Sequence, residues 1–363
     1  MNKKAVNIIS GIIIAVFFAL TVFLGALEIK SGGEDIIVNG KSSLTDEAAT
    51  VKDTVLYRLF GASGSDQVIA GKDGWLFYNE TLNDYIGAAA MTDEEIEELA
   101  EKLTILGEYC RENGAELCIL IAPNKNTVYP EKMPDWFKKG EMTISNRSKL
   151  LERLSAGNIY APDLAAMIKA VSNDLPDAWK RDDRVENMSL YYKTDTHWNA
   201  LGAAVAADYI IGYFAADQLN DADNPGFYLE CDINAVRAAG GDLYDILYPS
   251  KKIENGVDIT DFTYSFEGQK SFEYVDEPFS MMDMDIRTVS GIGGGDILVY
   301  RDSFGSELIP LLSGYFSTVH YLRGNMPYDF TYVATEKPGT VVMVIAERNL
   351  KQLLNAEFSY DPI

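Results

Sequence analysis

The chain has only two histidines, and one of them stands in the run Asp195-Thr196-His197-Trp198-Asn199. An acid and a histidine two residues apart on a loop can point into one site. The carboxylate then fixes one tautomer of the imidazole while the ring acts as a base. Such a base needs a nucleophile, and Ser303 is the best candidate. It lies in Asp296-Ile297-Leu298-Val299-Tyr300-Arg301-Asp302-Ser303-Phe304-Gly305-Ser306, after an apolar strand-like run and before helix-forming residues. A serine at a strand-to-helix turn projects its hydroxyl while neighbouring backbone N–H groups converge on one point, which supplies a nucleophile and an oxyanion hole together. Asp-x-His pairs also bind metals, but a metal site would want more His or Cys ligands, and only His320 remains. That residue lies in the aromatic run Tyr315 to Tyr321 and reads as a core or edge residue. No metal and no cofactor is expected.

The elements that must position these residues follow from patterning. Thr92 and Glu95 form a capping box, and Ile96, Leu99, Leu103 and Leu106 share one face of a helix running to about Asn113. The uniformly apolar run Leu117 to Ala122 predicts a buried strand of a parallel sheet. Pro123-Asn124-Lys125 follows at its C-terminal end, where α/β folds place ligands. Helices are expected at 145–156, 163–171, 200–214 and near 307–312, and further strands at 159–161, 296–300, 318–322 and 341–346. The last of these ends in Glu347-Arg348-Asn349. The alternation predicts an α/β sheet with helices on both faces, with Ser303 and the Pro123-Asn124-Lys125 loop at the ends of neighbouring parallel strands. Val68 to Ala70 and Trp75 to Tyr78 read as two strands joined by a Lys-Asp-Gly turn. Residues 220–290 change to short, charged, alternating runs and read as an antiparallel insertion.

A formal charge of −24 argues against a nucleic-acid partner, because phosphates would be repelled. The N-terminus begins Met1-Asn2-Lys3-Lys4 and continues into an uncharged run from Ile8 to Leu27. That run is long enough to cross a bilayer as a helix, and its end, Gly25-Ala26-Leu27-Glu28, is a poor cleavage site. Residues 1–30 are therefore expected to be an uncleaved anchor with a cytoplasmic N-terminus and an extracytoplasmic remainder. A cleaved segment would give a secreted protein. Residues 31–66 read as a tether and 67–363 as the folded domain. The three cysteines show no metal spacing; Cys118 reads as a buried core thiol, and a Cys110–Cys231 pairing is left open.

In chain order, Gly71-Lys72-Asp73-Gly74-Trp75-Leu76-Phe77, Pro123-Asn124-Lys125 with Tyr129-Pro130, Lys193-Thr194-Asp195-Thr196-His197-Trp198-Asn199, Gly241-Asp242-Leu243, Arg301-Asp302-Ser303-Phe304 and Glu347-Arg348-Asn349-Leu350 resemble the DHHW family and the related alginate O-acetylation proteins of the AlgJ/AlgX type. The resemblance spans about residues 67 to 350. It implies an SGNH-hydrolase-like parallel sheet sandwiched by helices, in which the order of catalytic elements is permuted so that the Asp-His block precedes the serine. It implies Ser303 as nucleophile, His197 as base and Asp195 as its orienter. The implied activity is acetyl transfer, through an acetyl-serine, to hydroxyls of an exported cell-surface polysaccharide. An acetyl esterase or a non-catalytic glycan-binding scaffold of the same fold remains the alternative. The implied partners are the polysaccharide and a polytopic membrane acyltransferase that supplies acetyl groups. Arg301-Asp302 departs from the small neutral residues usual before the serine in the alginate proteins, and no alginate-type carbohydrate-binding module is evident, so another polymer is the expected substrate. Lys125, Trp198, Glu347 and Arg348 are candidates for substrate binding, and Asn349, with the Ser303 turn, for the oxyanion site.

Overall fold

The computed structural model describes residues 65–137, 145–174, 189–215, 240–247, 270–278, 280–292, 294–324 and 328–360, together with the backbone of the short strands 37–38, 41–42, 232–238 and 261–267. The N-terminal apolar run, and most of the tether, lie outside the described residues. Among the described residues no helix is long and apolar enough to cross a membrane.

The chain opens its main unit with an antiparallel pair, β1 (Val68–Ala70) and β2 (Leu76–Tyr78). They are joined by a turn in which Asp73 and Gly74 both take positive φ. Helix α1 (Asp93–Glu112) starts at Thr92, whose side chain accepts from the Glu95 amide while Glu95 accepts from the Thr92 amide. These reciprocal bonds satisfy two of the otherwise unpaired amides of the first turn. Strand β3 (Glu116–Ala122) follows. Helices α2 (Asn146–Ala156), α3 (Leu164–Asn173) and α4 (Ala200–Phe214) come next. After them come β4 (Glu273–Tyr274), β5 (Asp285–Val289), β6 (Asp296–Arg301), β7 (Thr318–Arg323) and β8 (Thr340–Ala346).

The central sheet has six strands in the order β3-β8-β6-β7-β5-β4. The first four are mutually parallel, and β5 and β4 extend the edge antiparallel. Alternate side chains of the buried strands enter opposite cores, as the two-residue period of a strand requires. Cys118, Leu120, Val299, Val342 and Val344 face the core beneath α3 and α4. Ile119, Ile121, Leu298, Tyr300, Met343 and Ile345 face the one beneath α1 and α2. The sheet is thus covered on both faces, an α/β sandwich.

Three expectations are adjusted. The strand expected at 159–161 is reduced to an isolated parallel bridge from Tyr160 to Cys118. The Pro123 loop and Ser303 are not on neighbouring strands: β8 runs between β3 and β6, so the Glu347-Arg348-Asn349 turn separates them. Within 220–290, the strands Asp232–Ala238 and Asp261–Glu267 pair antiparallel, but β5 and β4 belong to the central sheet itself, with β4 at its edge. Cys110 and Cys118 are buried free thiols. His320 sits on β7, 5% exposed, with its Nδ1 and Nε2 bonded to Glu336 at 2.9 Å and Asp285 at 3.1 Å, which assigns it to the fold.

Candidate active site

Ser303 lies at the end of β6, in the first position of a 3₁₀ turn, Ser303–Leu308. Asp302 shapes that turn. Its Oδ1 accepts from the Phe304 amide at 2.9 Å, and its Oδ2 from the Ala346 amide of β8 at 2.7 Å. Burial raises this carboxyl and those amides oppose the rise. The Gly305 amide bonds the Asp302 carbonyl, so the Phe304 and Gly305 amides are both engaged. Among the described residues the Ser303 amide carries no hydrogen bond, and it is the N–H of this turn open to an oxyanion. Arg301 is wholly buried behind the serine, donating to Ser306 Oγ and the Asp283 carbonyl. The Arg301 side chain therefore lies inside the fold.

The Asp195 loop is a tight reversal before α4. Tyr191 bridges Trp198, the Tyr192 amide donates to the His197 carbonyl, and the Asn199 amide to the Leu190 carbonyl. Asn199 caps α4, its Oδ1 accepting from the Leu201 and Gly202 amides. Trp198 is fully buried. Its Nε1 donates to the Phe304 carbonyl at 3.0 Å, and its ring meets Phe304 edge-on. This one side chain ties the histidine loop to the nucleophile turn.

The two halves meet. His197 Nδ1 lies 2.7 Å from Asp195 Oδ1, and His197 Nε2 lies 2.7 Å from Ser303 Oγ. Burial alone would raise the Asp195 carboxyl. The hydrogen bond and charge of His197, with the Asp242 and His197 amides, outweigh it and hold the carboxyl well below the usual carboxylate range. An ionised Asp195 takes its hydrogen bond from Nδ1–H, so Nε2 is left to accept the Ser303 proton. The Asp195 and His197 side chains keep about a fifth of their surface open, enough for a reactant to reach them.

The other residues expected at the site divide. Lys125 is 4% exposed. Its Nζ donates to the carbonyls of Tyr192, Lys193 and Asp195 at 2.9, 3.1 and 2.6 Å, and it lies over the Trp75 and Phe77 rings. It braces the Asp195 loop from inside and does not face a substrate. Trp198 is likewise internal. Glu347, 7% exposed, accepts from the Asn124 amide and Thr127 Oγ1 and pairs with Arg147 at 3.5 Å. It fastens the end of β8 to that of β3. Arg348 is partly exposed and lies between the Tyr78 and Phe304 rings, 5.7 and 5.3 Å from their centroids, which leaves it beside the nucleophile. Asn349 opens a short helix, Leu350–Leu353; among the described residues no hydrogen bond joins it to Ser303.

Asp84 is half-buried and accepts from Asn124, the residue before Lys125. Burial, then the charge of Glu347, pushes its carboxyl up to about 6, and a bond from Asn124 Nδ2 only partly offsets this. Because the folded state holds this proton more tightly than the unfolded chain, the stability linked to it is fully present at low pH and is lost as pH rises through about 6. Asp84→Asn keeps an acceptor for Asn124 and removes the charge. Its melting temperature is expected to exceed wild type above neutral pH, with the gain shrinking below pH 6 in a thermal-denaturation series.

The residues given no role by the sequence were Thr196, Asp242 and Asp302. Asp302 is next to the serine, and Asp242 stands in Gly241-Asp242-Leu243, so their presence in named motifs was the available signal.

A family model, the SGNH hydrolase-like domain of acetyltransferase AlgX, matches residues 68–257, more than half of the chain. The chain belongs to this family. Among curated relatives it is similar to the probable alginate O-acetylase AlgJ of Pseudomonas syringae pv. tomato, 26% identical over 216 residues, 53% of this chain and 49% of the relative. The chain spans about half the length of the curated relatives it matches. Among solved structures it is similar in fold to Bacillus cereus PatB1, with 15% identity, a TM-score of 0.54, and 79% of this chain and 97% of that one covered. A DHHW family protein from Eubacterium siraeum aligns with 14% identity, a TM-score of 0.50, and 72% and 90% coverage. The SGNH-hydrolase-like architecture, with the Asp-His block preceding the serine, is therefore the fold of this chain.

Proposed function

We propose that the chain is an O-acetyltransferase that moves acetyl groups, through an acetyl-Ser303 intermediate, onto hydroxyls of an exported cell-surface polysaccharide. The observation that carries this is the unbroken line Asp195 Oδ1–His197 Nδ1 and His197 Nε2–Ser303 Oγ, both contacts 2.7 Å. Membership of the AlgX family supports the choice of acetyl chemistry.

His197 Nε2 takes the Ser303 proton as Oγ attacks the acetyl carbonyl carbon. The oxyanion faces the Ser303 amide. The tetrahedral species collapses, the bond from the acyl carbon to the donor's oxygen or sulfur breaks, and the leaving group takes the proton from His197. A sugar hydroxyl then gives its proton to Nε2 and attacks acetyl-Ser303. As the Ser303 ester bond breaks, Oγ recovers the proton. Asp195 stays ionised throughout and stabilises the imidazolium each time it forms. Arg348, held between two rings beside Phe304, is the side chain best disposed to touch the acceptor. Residues 67–363 act as one catalytic domain. The uncharged run from Ile8 to Leu27 holds this domain outside the membrane, beside a polytopic membrane acyltransferase that supplies the acetyl groups.

The test is the alkali-labile acetyl content of washed surface polymer from a deletion strain complemented with wild type or Ser303→Ala. A fall with the variant supports transfer. A rise points to the esterase, and no change with folded protein in place points to a scaffold.

A further inference from the structure

Asp242 stands beside Asp195 and His197, and the mechanism above leaves it unused. Its backbone amide donates to Asp195 Oδ2 at 2.9 Å. Its Oδ1 accepts from the Thr196 amide at 2.7 Å, and its Oδ2 from Thr196 Oγ1 at 2.5 Å. Thr196 Oγ1 is in turn 3.2 Å from His197 Nδ1, and Asp242 Oδ2 is itself 3.8 Å from that nitrogen. The approach is set by Gly241, at φ +143°. A Cβ there would stand 2.5 Å from the Thr194 carbonyl oxygen and 3.0 Å from Asp195 Cβ. The backbone of 241–242 is thus pressed onto the Asp195 loop at a place where only glycine fits.

We propose that Asp242 is a positioning residue for the acyl-transfer site: it clamps the Asp195-Thr196-His197 loop through three hydrogen bonds, and its carboxylate is a second negative charge that stabilises the imidazolium formed at His197. The inference rests on the acyl-transfer reading and deepens it. Asp195 has one oxygen on the imidazole and the other on the Asp242 amide, so it cannot turn away. Thr196 is held at both its amide and its hydroxyl, which fixes the ring that follows it. The charged and titratable groups around this pair are Asp195 on the same loop, Tyr78 from β2, Asp302 and Glu307 from the nucleophile turn, and Arg348 after β8. Three of these are carboxyls against one cation, so the site gathers negative charge around the imidazole. Burial, then the charge of Asp195, lifts the Asp242 carboxyl, while the Thr196 bonds and His197 oppose the rise. Asp242 is therefore protonated before Asp195 as pH falls.

Asp242→Asn removes the charge and keeps the size, so it imitates the protonated acid. On a chromogenic acetyl ester it is expected to lower kcat roughly five- to tenfold at neutral pH, the effect of one unit charge about 4 Å away in a partly solvated site, with KM nearly unchanged. The ratio of wild-type to variant kcat should shrink toward one on the acid side, because only the wild type then gains a proton at 242. Thr196→Val, which keeps the charge and cuts the hydroxyl link, should give a smaller loss that is constant with pH. Wild-type turnover in both variants, or a ratio for Asp242→Asn that is flat across pH, overturns the proposal. If Asp242→Asn does not fold, Thr196→Val decides: unchanged turnover overturns the proposal and a constant loss supports it. If wild type is no more active than Ser303→Ala, it is the acyl-transfer reading that fails. Amide exchange across 194–197 then judges the clamp alone, with faster exchange in Asp242→Asn supporting it and unchanged exchange overturning it.

Discussion

Ser303→Ala is expected to lower acetyl-ester turnover by roughly 10⁴-fold or more, with the fold and melting temperature nearly unchanged. The change deletes one oxygen. That oxygen's recorded bond is to His197 Nε2, while the turn around it is held by Asp302, Trp198 and Arg301. None of these contacts uses the serine side chain, so its removal leaves the scaffold in place. His197→Ala should cost nearly as much, and the double variant little more than either alone, because the two act as one unit and their losses do not add. Asp195→Asn should retain more activity than either. It disturbs the tautomer and the charge of the imidazole but leaves the attacking oxygen. Steady-state rates on one ester, with circular dichroism to monitor folding, check all four variants.

Lys125→Met is expected to destabilise the folded domain by roughly 2–5 kcal/mol and to abolish activity with it. The methionine fills much of the same volume against Trp75 and Phe77, so packing is largely kept. What is lost is the ammonium, and with it the partner of three carbonyls in the loop that carries Asp195. Those oxygens sit where the lysine is 4% exposed, and water replaces an ammonium poorly in so small a space. Chemical denaturation followed by fluorescence measures the loss. Arg348→Ala gives the contrast. That side chain is partly exposed and rests on two ring faces, so stability should change little while KM for a saccharide acceptor rises.

The difference between these two residues marks what could be read from the sequence. The runs 117–122, 297–300 and 341–346 are apolar throughout because both of their faces are covered, and that pattern is visible in the sequence alone. Helix α1 is legible from its capping box and from one apolar face. The Asp195-His197 pair and Ser303 stood out because local spacing and a strand-to-helix turn both point to chemistry. A lysine in a loop carries no such mark. Whether Lys125 meets solvent or three carbonyls from 67 to 70 residues away depends on tertiary contacts that no local pattern encodes. The same holds for Glu347, whose partners Asn124 and Thr127 lie on another strand's turn, and for Trp198, which packs edge-on against Phe304 instead of standing open to a sugar. The place of β8 between β3 and β6 was also not legible, because strand order is fixed by how crossovers pack and not by the sequence of any one strand. Asp242 was hidden for a related reason. Its role depends on a chain reversal that brings 241–242 onto 194–196.

The most direct measurement is the mass of the intact purified protein after brief mixing with an acetyl ester and an acid quench, followed by peptide mapping. The proposed mechanism predicts a gain of one acetyl group, located on Ser303, absent in Ser303→Ala and in His197→Ala, and removed on addition of a saccharide acceptor. An acetyl group that maps to another residue, or that persists in Ser303→Ala, would contradict it.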